Sequence, residues 1–260
     1  MICIRSASLL ALIILPGIAS CGPGEPEEPL IKAARLGRTK QVESLLASGV
    51  DINMQPGPRR LTALHAACGA GRADIVRLLL AKGADPELRD AAGATSWDLI
   101  WNRDRSLNRR EQEVMVALLE GGVKLESEND ERGRTWLHRL CEKVSSSRMV
   151  SLLVRERGFD ANARDAHGWT PLHVAVFANR YDTTLALLQQ GADVNAETTK
   201  EIKKTFLKGE THVTRYCYQA GSRPLDLYHG TFTRGSRNLT RLLEEHGAKR
   251  NPAVKNTFVR

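Results

Sequence analysis

One short phrase recurs along this chain. Its clearest copy is Gly168-Trp169-Thr170-Pro171-Leu172-His173, and it returns as Leu61-Thr62-Ala63-Leu64-His65 and Arg134-Thr135-Trp136-Leu137-His138. Weaker copies are Glu28-Pro29-Leu30, Thr95-Ser96-Trp97-Asp98 and Arg223-Pro224-Leu225-Asp226. The anchor positions Leu30, Leu64, Trp97, Leu137, Leu172 and Leu225 lie 34, 33, 40, 35 and 53 residues apart. Each anchor is followed by a Leu-Leu pair and then a glycine. A period of this length marks a stack of similar units, in which no single unit can bury its own apolar face.

The phrase has a physical logic. Thr170 can cap a helix through its hydroxyl, with Pro171 at the first helical position, where a missing N–H costs little. Leu172, Ala175 and Val176 follow at helical spacing. A second helix carries Leu185, Leu187 and Leu188, and Gly191 ends it in a left-handed conformation. Thr-Pro-Leu-His, the period near 33, and the closing Gly83-Ala84-Asp85 and Gly191-Ala192-Asp193 together resemble the ankyrin repeat. The resemblance runs from about Glu28 to Asn251, strongest in the units led by Leu64 and Leu172 and resting mainly on spacing in those led by Trp97 and Leu225. It implies an all-α ankyrin-repeat solenoid of about six helix-turn-helix units, into which the residues around Gly209 are expected to put a β-hairpin insertion before the last unit. The family's work is binding other proteins.

The first twenty residues read differently. Arg5 precedes an uncharged run from Ser6 to Leu15, and small residues lead to Ser20, the pattern of a secretory signal peptide too short to span a membrane. Ile18-Ala19-Ser20-Cys21 resembles the bacterial lipobox, which implies cleavage before Cys21 and lipid on its thiol. Residues 1–20 are thus expected to be a cleaved lipoprotein signal, 21–28 the lipidated Cys21 with a flexible Pro/Gly/Glu tether, and 29–260 the repeat domain. Two acyl chains suffice for stable anchoring. Gly22 after Cys21 points, by the family's sorting rule, to the outer membrane facing the periplasm.

The chain is 42% hydrophobic and carries a formal charge of +8, or +7 once residues 1–20 with Arg5 are removed. Such a balance suits anionic lipid, nucleic acid or an acidic protein. Export argues against nucleic acid and leaves a protein partner, together with the membrane contact through Cys21, for a chain expected to be monomeric. Cys68 and Cys141 hold the same place in units two apart. With helices stacking roughly 8–10 Å apart, they lie beyond the reach of about 7 Å for a disulfide; they are expected to be small core residues. Cys217 falls in an insertion.

Departures from the period are where function is expected, since insertions map to loops on the binding face. The third unit holds extra residues around Trp101-Asn102-Arg103-Asp104-Arg105, and the stretch from Leu153 to Gly158 is longer than its counterparts. The largest insertion, about 197–219, has β-branched and aromatic residues on both sides of Gly209, which predicts the hairpin. Candidate partner-binding residues are therefore Arg59, Arg60, Arg89, Arg132, Arg134, Arg164 and Trp169 at the turns between units. Phe206, Leu207, His212, Tyr216 and Tyr218 in the insertion complete the set.

His65, His138 and His173 invite a catalytic or metal reading, but each is the histidine of the repeat phrase, where the family uses it structurally. Gly69-Ala70-Gly71 lacks the context of a phosphate loop, and HExxH, paired CxxC and GxSxG motifs are missing from the sequence. The expectation is a non-enzyme with no cofactor and no metal, which could serve as an inhibitor or immunity protein against a toxin or enzyme. The alternatives are an envelope enzyme or cofactor-dependent stress-protection protein, using His212 or His229, and a structural envelope adaptor.

Overall fold

The computed structural model describes residues 28–102, 107–125, 129–208, 212–227, 234–254 and 257–259. The leader, Cys21 and the tether up to residue 27 lie outside the described residues, as do Arg103, Asp104, Arg105 and His229. Six helix pairs follow one another: α1 (Pro29–Leu36) with α2 (Thr39–Ala47), α3 (Ala63–Gly69) with α4 (Ala73–Ala81), and α5 (Asp98–Trp101) with α6 (Arg109–Glu120). Then come α7 (Trp136–Lys143) with α8 (Ser147–Ser151), α9 (Pro171–Phe177) with α10 (Tyr181–Gln189), and α11 (Pro224–Leu227) with α12 (Arg234–Glu245). The first helices pack side by side, α1 on α3, α3 on α5, α7 on α9 and α9 on α11. The second helices form a parallel layer, α4 on α6, α6 on α8, α8 on α10 and α10 on α12.

The small residues of the first helices are why the layers sit close. Ala34, Ala67 and Ala175 are fully buried, and the anchors Leu30, Leu64, Leu137, Leu172 and Leu225 form one continuous apolar core with Leu79, Leu153 and Leu187 of the second layer. Cys68 and Cys141 belong to this core as free thiols, and burial pushes both thiol pKa values up. Arg72 and Arg180, at the heads of α4 and α10, each reach back to a carbonyl near the end of the preceding unit's first helix, Arg35 O at 3.2 Å and Glu142 O at 3.1 Å. A cation at a helix C-terminus is favourable there.

The long Leu153–Gly158 stretch is absorbed inside a helix. After α8 the chain makes a π-helical turn over Leu152–Glu156, which accommodates extra residues without breaking the helix. The Phe159 N–H donates to Leu153 O, six residues back, where in the next unit Ala192 donates to Leu187 O, five back. Arg157, just past the turn, donates to Leu119 O at 2.7 Å and ties the bulge to α6.

Between the fifth and sixth units, β1 (Ile202–Lys208) pairs antiparallel with β2 (His212–Tyr218) through seven residue pairs, from Ile202 opposite Tyr218 to Lys208 opposite His212. The C-terminal β3 (Thr257–Val259) adds to the other side of β2, with Thr257 opposite Cys217 and Val259 opposite Arg215. The sheet order is β1-β2-β3. Nothing in the local sequence of residues 257–259 announced that third strand.

The turns between units lie against one another in series. Ala91 N–H donates to Arg59 O at 2.9 Å, Ala166 N–H to Arg132 O at 2.9 Å, and Thr199 N–H to His167 O at 3.0 Å. Gly168 makes the last approach possible. It holds φ +77°, and a Cβ there would lie 2.6 Å from Thr199 N and 2.6 Å from Thr199 Oγ1. Gly168→Ala is expected to destabilise the protein by about 2–3 kcal/mol, combining an unfavourable φ with a clash against backbone. A urea titration followed by circular dichroism would show it; an unchanged midpoint would mean that the two turns are not held in this contact.

Candidate functional site

The three histidines of the repeat phrase are consumed by the stack. In each of three units the imidazole Nδ1 faces the threonine that starts the same helix, and Nε2 faces a carbonyl of the following unit. His65 Nδ1 lies 2.8 Å from Thr62 Oγ1 and Nε2 3.2 Å from Ala94 O. His138 sits 2.9 Å from Thr135 Oγ1 and 2.9 Å from Trp169 O. His173 sits 2.9 Å from Thr170 Oγ1 and 3.2 Å from Ser222 O. A carbonyl only accepts, so Nε2 carries the proton and Nδ1 accepts from the threonine hydroxyl. The threonine N–H also points at Nδ1, at 3.3, 3.3 and 3.1 Å respectively. This arrangement is a helix-capping box in which imidazole does the work more often done by Glu or Gln.

In the third and sixth units aspartate takes the histidine's place. Asp98 accepts from Thr95 N–H at 3.0 Å and from the Thr95 hydroxyl at 2.9 Å, and Asp226 accepts from Arg223 N–H at 3.0 Å. A carboxylate closes the cap but has no hydrogen to hand to the next unit. At the joint after the third unit, tryptophans serve instead. Trp136 packs edge-on against Trp101 at 4.9 Å and Trp97 at 5.6 Å between centroids. The Arg139 guanidinium lies 4.1 Å over the Trp136 ring, and Lys143 Nζ donates to Trp101 O at 2.9 Å while lying 4.9 Å from its ring. Aromatic and cation–π contacts of this kind contribute about 0.5–2 kcal/mol each.

A second ladder escaped sequence reasoning. Asn53 Oδ1 accepts from Asp85 N–H at 2.9 Å, Asn162 Oδ1 from Asp193 N–H at 2.7 Å, and Asn195 Oδ1 from Lys249 N–H at 2.8 Å. Glu87 does the same with Lys124 N–H at 2.9 Å. The available signal was the position two residues after Asp51, Asp85, Asp160 and Asp193, where a side-chain acceptor recurs.

The candidate contact residues divide sharply by exposure. Arg59, Arg60, Arg89, Arg132 and Arg164 are exposed on the turns. Arg89 is steadied by a 2.8 Å bond to Gly93 O, Arg60 by one of 3.0 Å to Gln55 Oε1, and Arg164 by donation to Glu197 O. Three others are withdrawn from the surface. Arg134 is 8% exposed, bonded to Glu142 at 2.9 Å and 3.6 Å from Asp165, so it is a structural ion-pair residue. Trp169 and Tyr218 are 3% and 1% exposed, because they pack edge-on against each other and against Phe177. Tyr218 is therefore the root that fixes the strand segment to α9. Phe206 and Leu207 lie on β1 opposite Thr214 and Val213, and His212 and Tyr216 lie on β2 opposite Lys208 and Lys204.

A shallow groove on the second-helix side, lined by Arg109, Gln112, Glu113, Ser145, Ser146, Arg148 and Asp182, carries both signs of charge. Among the described residues no cluster of His, Cys, Asp or Glu is arranged to hold a metal ion. No helix there is long and apolar enough to cross a membrane.

The family model described as Ankyrin repeats (3 copies) matches residues 1–90 and 106–198. The chain belongs to the ankyrin-repeat family. Its repeats make it a protein–protein interaction module. It is similar to mouse 2-5A-dependent ribonuclease, 46% identical over 71 residues, covering 27% of this chain and 10% of that protein. It is also similar to mouse Rabankyrin-5, 28% identical over 185 residues, covering 69% of this chain and 15% of that protein. The chain thus spans only 10% to 15% of the length of these curated relatives. The solved human ASB11 ankyrin repeat domain aligns with a TM-score of 0.49 and 23% identity, over 88% of this chain and 89% of that one.

The histidine links make the ankyrin stack acid-sensitive. Burial pushes the pKa of His173 down from 6.5 to about 4, against smaller opposing effects of Ser222 O and Asp165; Arg164 nearby lowers it further. His65 and His138 are lowered for the same reason, with Asp90 facing the first, and Asp165, Arg134 and Asp130 facing the second. A depressed folded-state pKa means that the stability is fully present above the unfolded value of 6.5 and is lost as pH falls toward 4. His173 alone accounts for about 3 kcal/mol across that window. Urea midpoints measured through this range should fall steadily, and His173→Gln should flatten part of the slope. A flat profile in the parent protein would show that these imidazoles are not buried neutral.

Proposed function

We propose that this chain is a non-catalytic ankyrin module held by lipid on Cys21 at the bacterial envelope, at the outer membrane facing the periplasm. It acts there as a monomer that binds another protein. Blocking a toxin or enzyme is the narrower form of that role which suits an exported binder. The observation that carries the non-catalytic reading is the use of His65, His138 and His173. All three are buried, and both nitrogens of each ring face partners within the stack. No imidazole of the repeat phrase is left for chemistry.

Anchoring is supported by the sequence Ile18-Ala19-Ser20-Cys21 and by the polar tether after it. Binding is supported by the exposed arginines of the turns, Arg59, Arg60, Arg89, Arg132 and Arg164, of which Arg89 and Arg164 are steadied by backbone carbonyls. The strand segment bearing Phe206, Leu207, His212 and Tyr216 supplies an arm beside them. Rigid presentation lowers the entropic cost of association, since little has to be ordered on binding.

Cys21→Ser is expected to move the protein from the membrane to the soluble fraction, read by fractionation and by loss of incorporated radiolabelled palmitate. Persistence on membranes with the serine variant would sink the lipoprotein reading. Affinity capture from envelope extract, comparing the parent with a variant carrying Arg59, Arg89, Arg132 and Arg164 changed to Glu, tests the binding surface. The expected result is a protein retained by the parent and at least tenfold depleted with the variant; equal retention would move the site off the turns.

A further inference from the structure

The stack is parted at one place, between the third and fourth units. On either side of that joint the turns are tied through their backbones, Ala91 N–H to Arg59 O and Ala166 N–H to Arg132 O. In the turn before the fourth unit Glu131 holds the place of Ala91 and Ala166, while Ala92 of the preceding turn holds that of Arg59 and Arg132. No bond joins Glu131 N–H to Ala92 O. Among the described residues no backbone–backbone hydrogen bond at all crosses from residues 28–125 to residues 129–254. The histidine link is missing here as well, since Asp98 has no hydrogen to pass on. The first joint also has no histidine link, but there α1 lies along α3.

The size of one side chain explains the parting. Trp101 stands where α1, α3, α7 and α9 carry Ala34, Cys68, Cys141 and Val176, four residues after each anchor. Small residues let the first helices lie side by side, and an indole in their place holds two helices apart. Accordingly α5 packs on α3 but only marginally on α7, and the rings of Trp97, Trp101 and Trp136 take over the contact. The second layer opens at the same joint. A groove of about 450 Å³ lies there between α6, at Arg109, Gln112 and Glu113, and the head of α8, at Ser146 and Arg148.

What does cross the joint is suited to movement. Lys143 reaches Trp101 O at 2.9 Å, Arg157 reaches Leu119 O at 2.7 Å, and Arg148 pairs with Glu120. All three are long side chains that can follow a small rotation by changing rotamer. Trp97 Nε1 is buried without an acceptor, so packing alone holds that ring. We propose that the joint between the third and fourth units is a hinge, with units one to three and four to six as rigid blocks and the tryptophan cluster as the pivot. Hinges absorb motion at a few positions while the bodies on either side stay packed. Opening changes the span between the turn bearing Arg89 and the turn bearing Arg132, both exposed. The hinge itself needs no partner. Its use, fitting the two sets of arginines to the surface of one bound protein, rests on the protein-binding reading above.

The test measures distances in the whole chain by pulsed electron spin resonance. Spin labels are coupled to p-acetylphenylalanine placed at Ala92 and Ala166, two exposed positions on opposite sides of the joint. A control pair at the exposed Lys40 and Lys82 lies within the first block. Expected is a cross-joint distribution broader than the control's, or split in two. Asp98→His gives the third unit the imidazole that caps and links three others. It should narrow the cross-joint distribution to the control's width, with circular dichroism confirming the fold. A parent distribution as narrow as the control, or a broad one that folded Asp98→His leaves unchanged, would overturn the proposal. If Asp98→His does not fold, the parent measurement decides alone. A rigid joint would remove the hinge and leave the binding reading to the capture experiment, which does not depend on it.

Discussion

The structure depends on a proton held on one particular nitrogen. In three units Nε2–H of a buried histidine reaches the carbonyl of the next unit, while Nδ1 accepts from the threonine that starts its own helix. One neutral ring thereby satisfies a cap and joins two neighbours. Because the ring is buried, each link is stronger than it would be in water and also intolerant of a second proton. The ladder of Asn53, Glu87, Asn162 and Asn195 joins successive units beside it. Together the two ladders fix the spacing of the units on either side of the joint between the third and the fourth.

The helical architecture was legible because it is written in local terms. Thr170-Pro171-Leu172-His173 names its own cap, helix start, core residue and bridge, and Gly191 names the stop. The contact surface was only half legible. Arg134 and Trp169 sit in the same turns as Arg132 and Arg164, yet the first pair is buried and the second exposed. Their fate depends on Asp165 of the next unit for Arg134 and on Tyr218 of the distant insertion for Trp169, besides the nearer Glu142 and Phe177. Tyr218 read as an arm residue because its neighbours are strand-forming, and only packing against Trp169 reveals it as the root. The β3 pairing was invisible for a similar reason, since three residues carry no periodicity.

The joint between the third and fourth units shows how a repeat compensates for a missing part. Asp98 caps its helix but cannot donate onward, and α5 is only four residues long. The large rings of Trp97, Trp101 and Trp136 fill what a longer helix would have filled, and Lys143 supplies the hydrogen bond across the gap. The solution is bulkier than the histidine link and is built from side chains whose relation to one another cannot be read from a 33-residue period.

The π-helical turn over Leu152–Glu156 has a consequence for how such a chain can vary. Its extra residues are confined to the outer layer, and just beyond them Asn162 still meets Asp193 at 2.7 Å, as though the repeat were of ordinary length. A ruler that can swell on its back without moving its graduations leaves its working edge undisturbed. Additions on the second-helix side are thus insulated from the turns, so lineages of this fold are free to diverge in length there while keeping the same face in step.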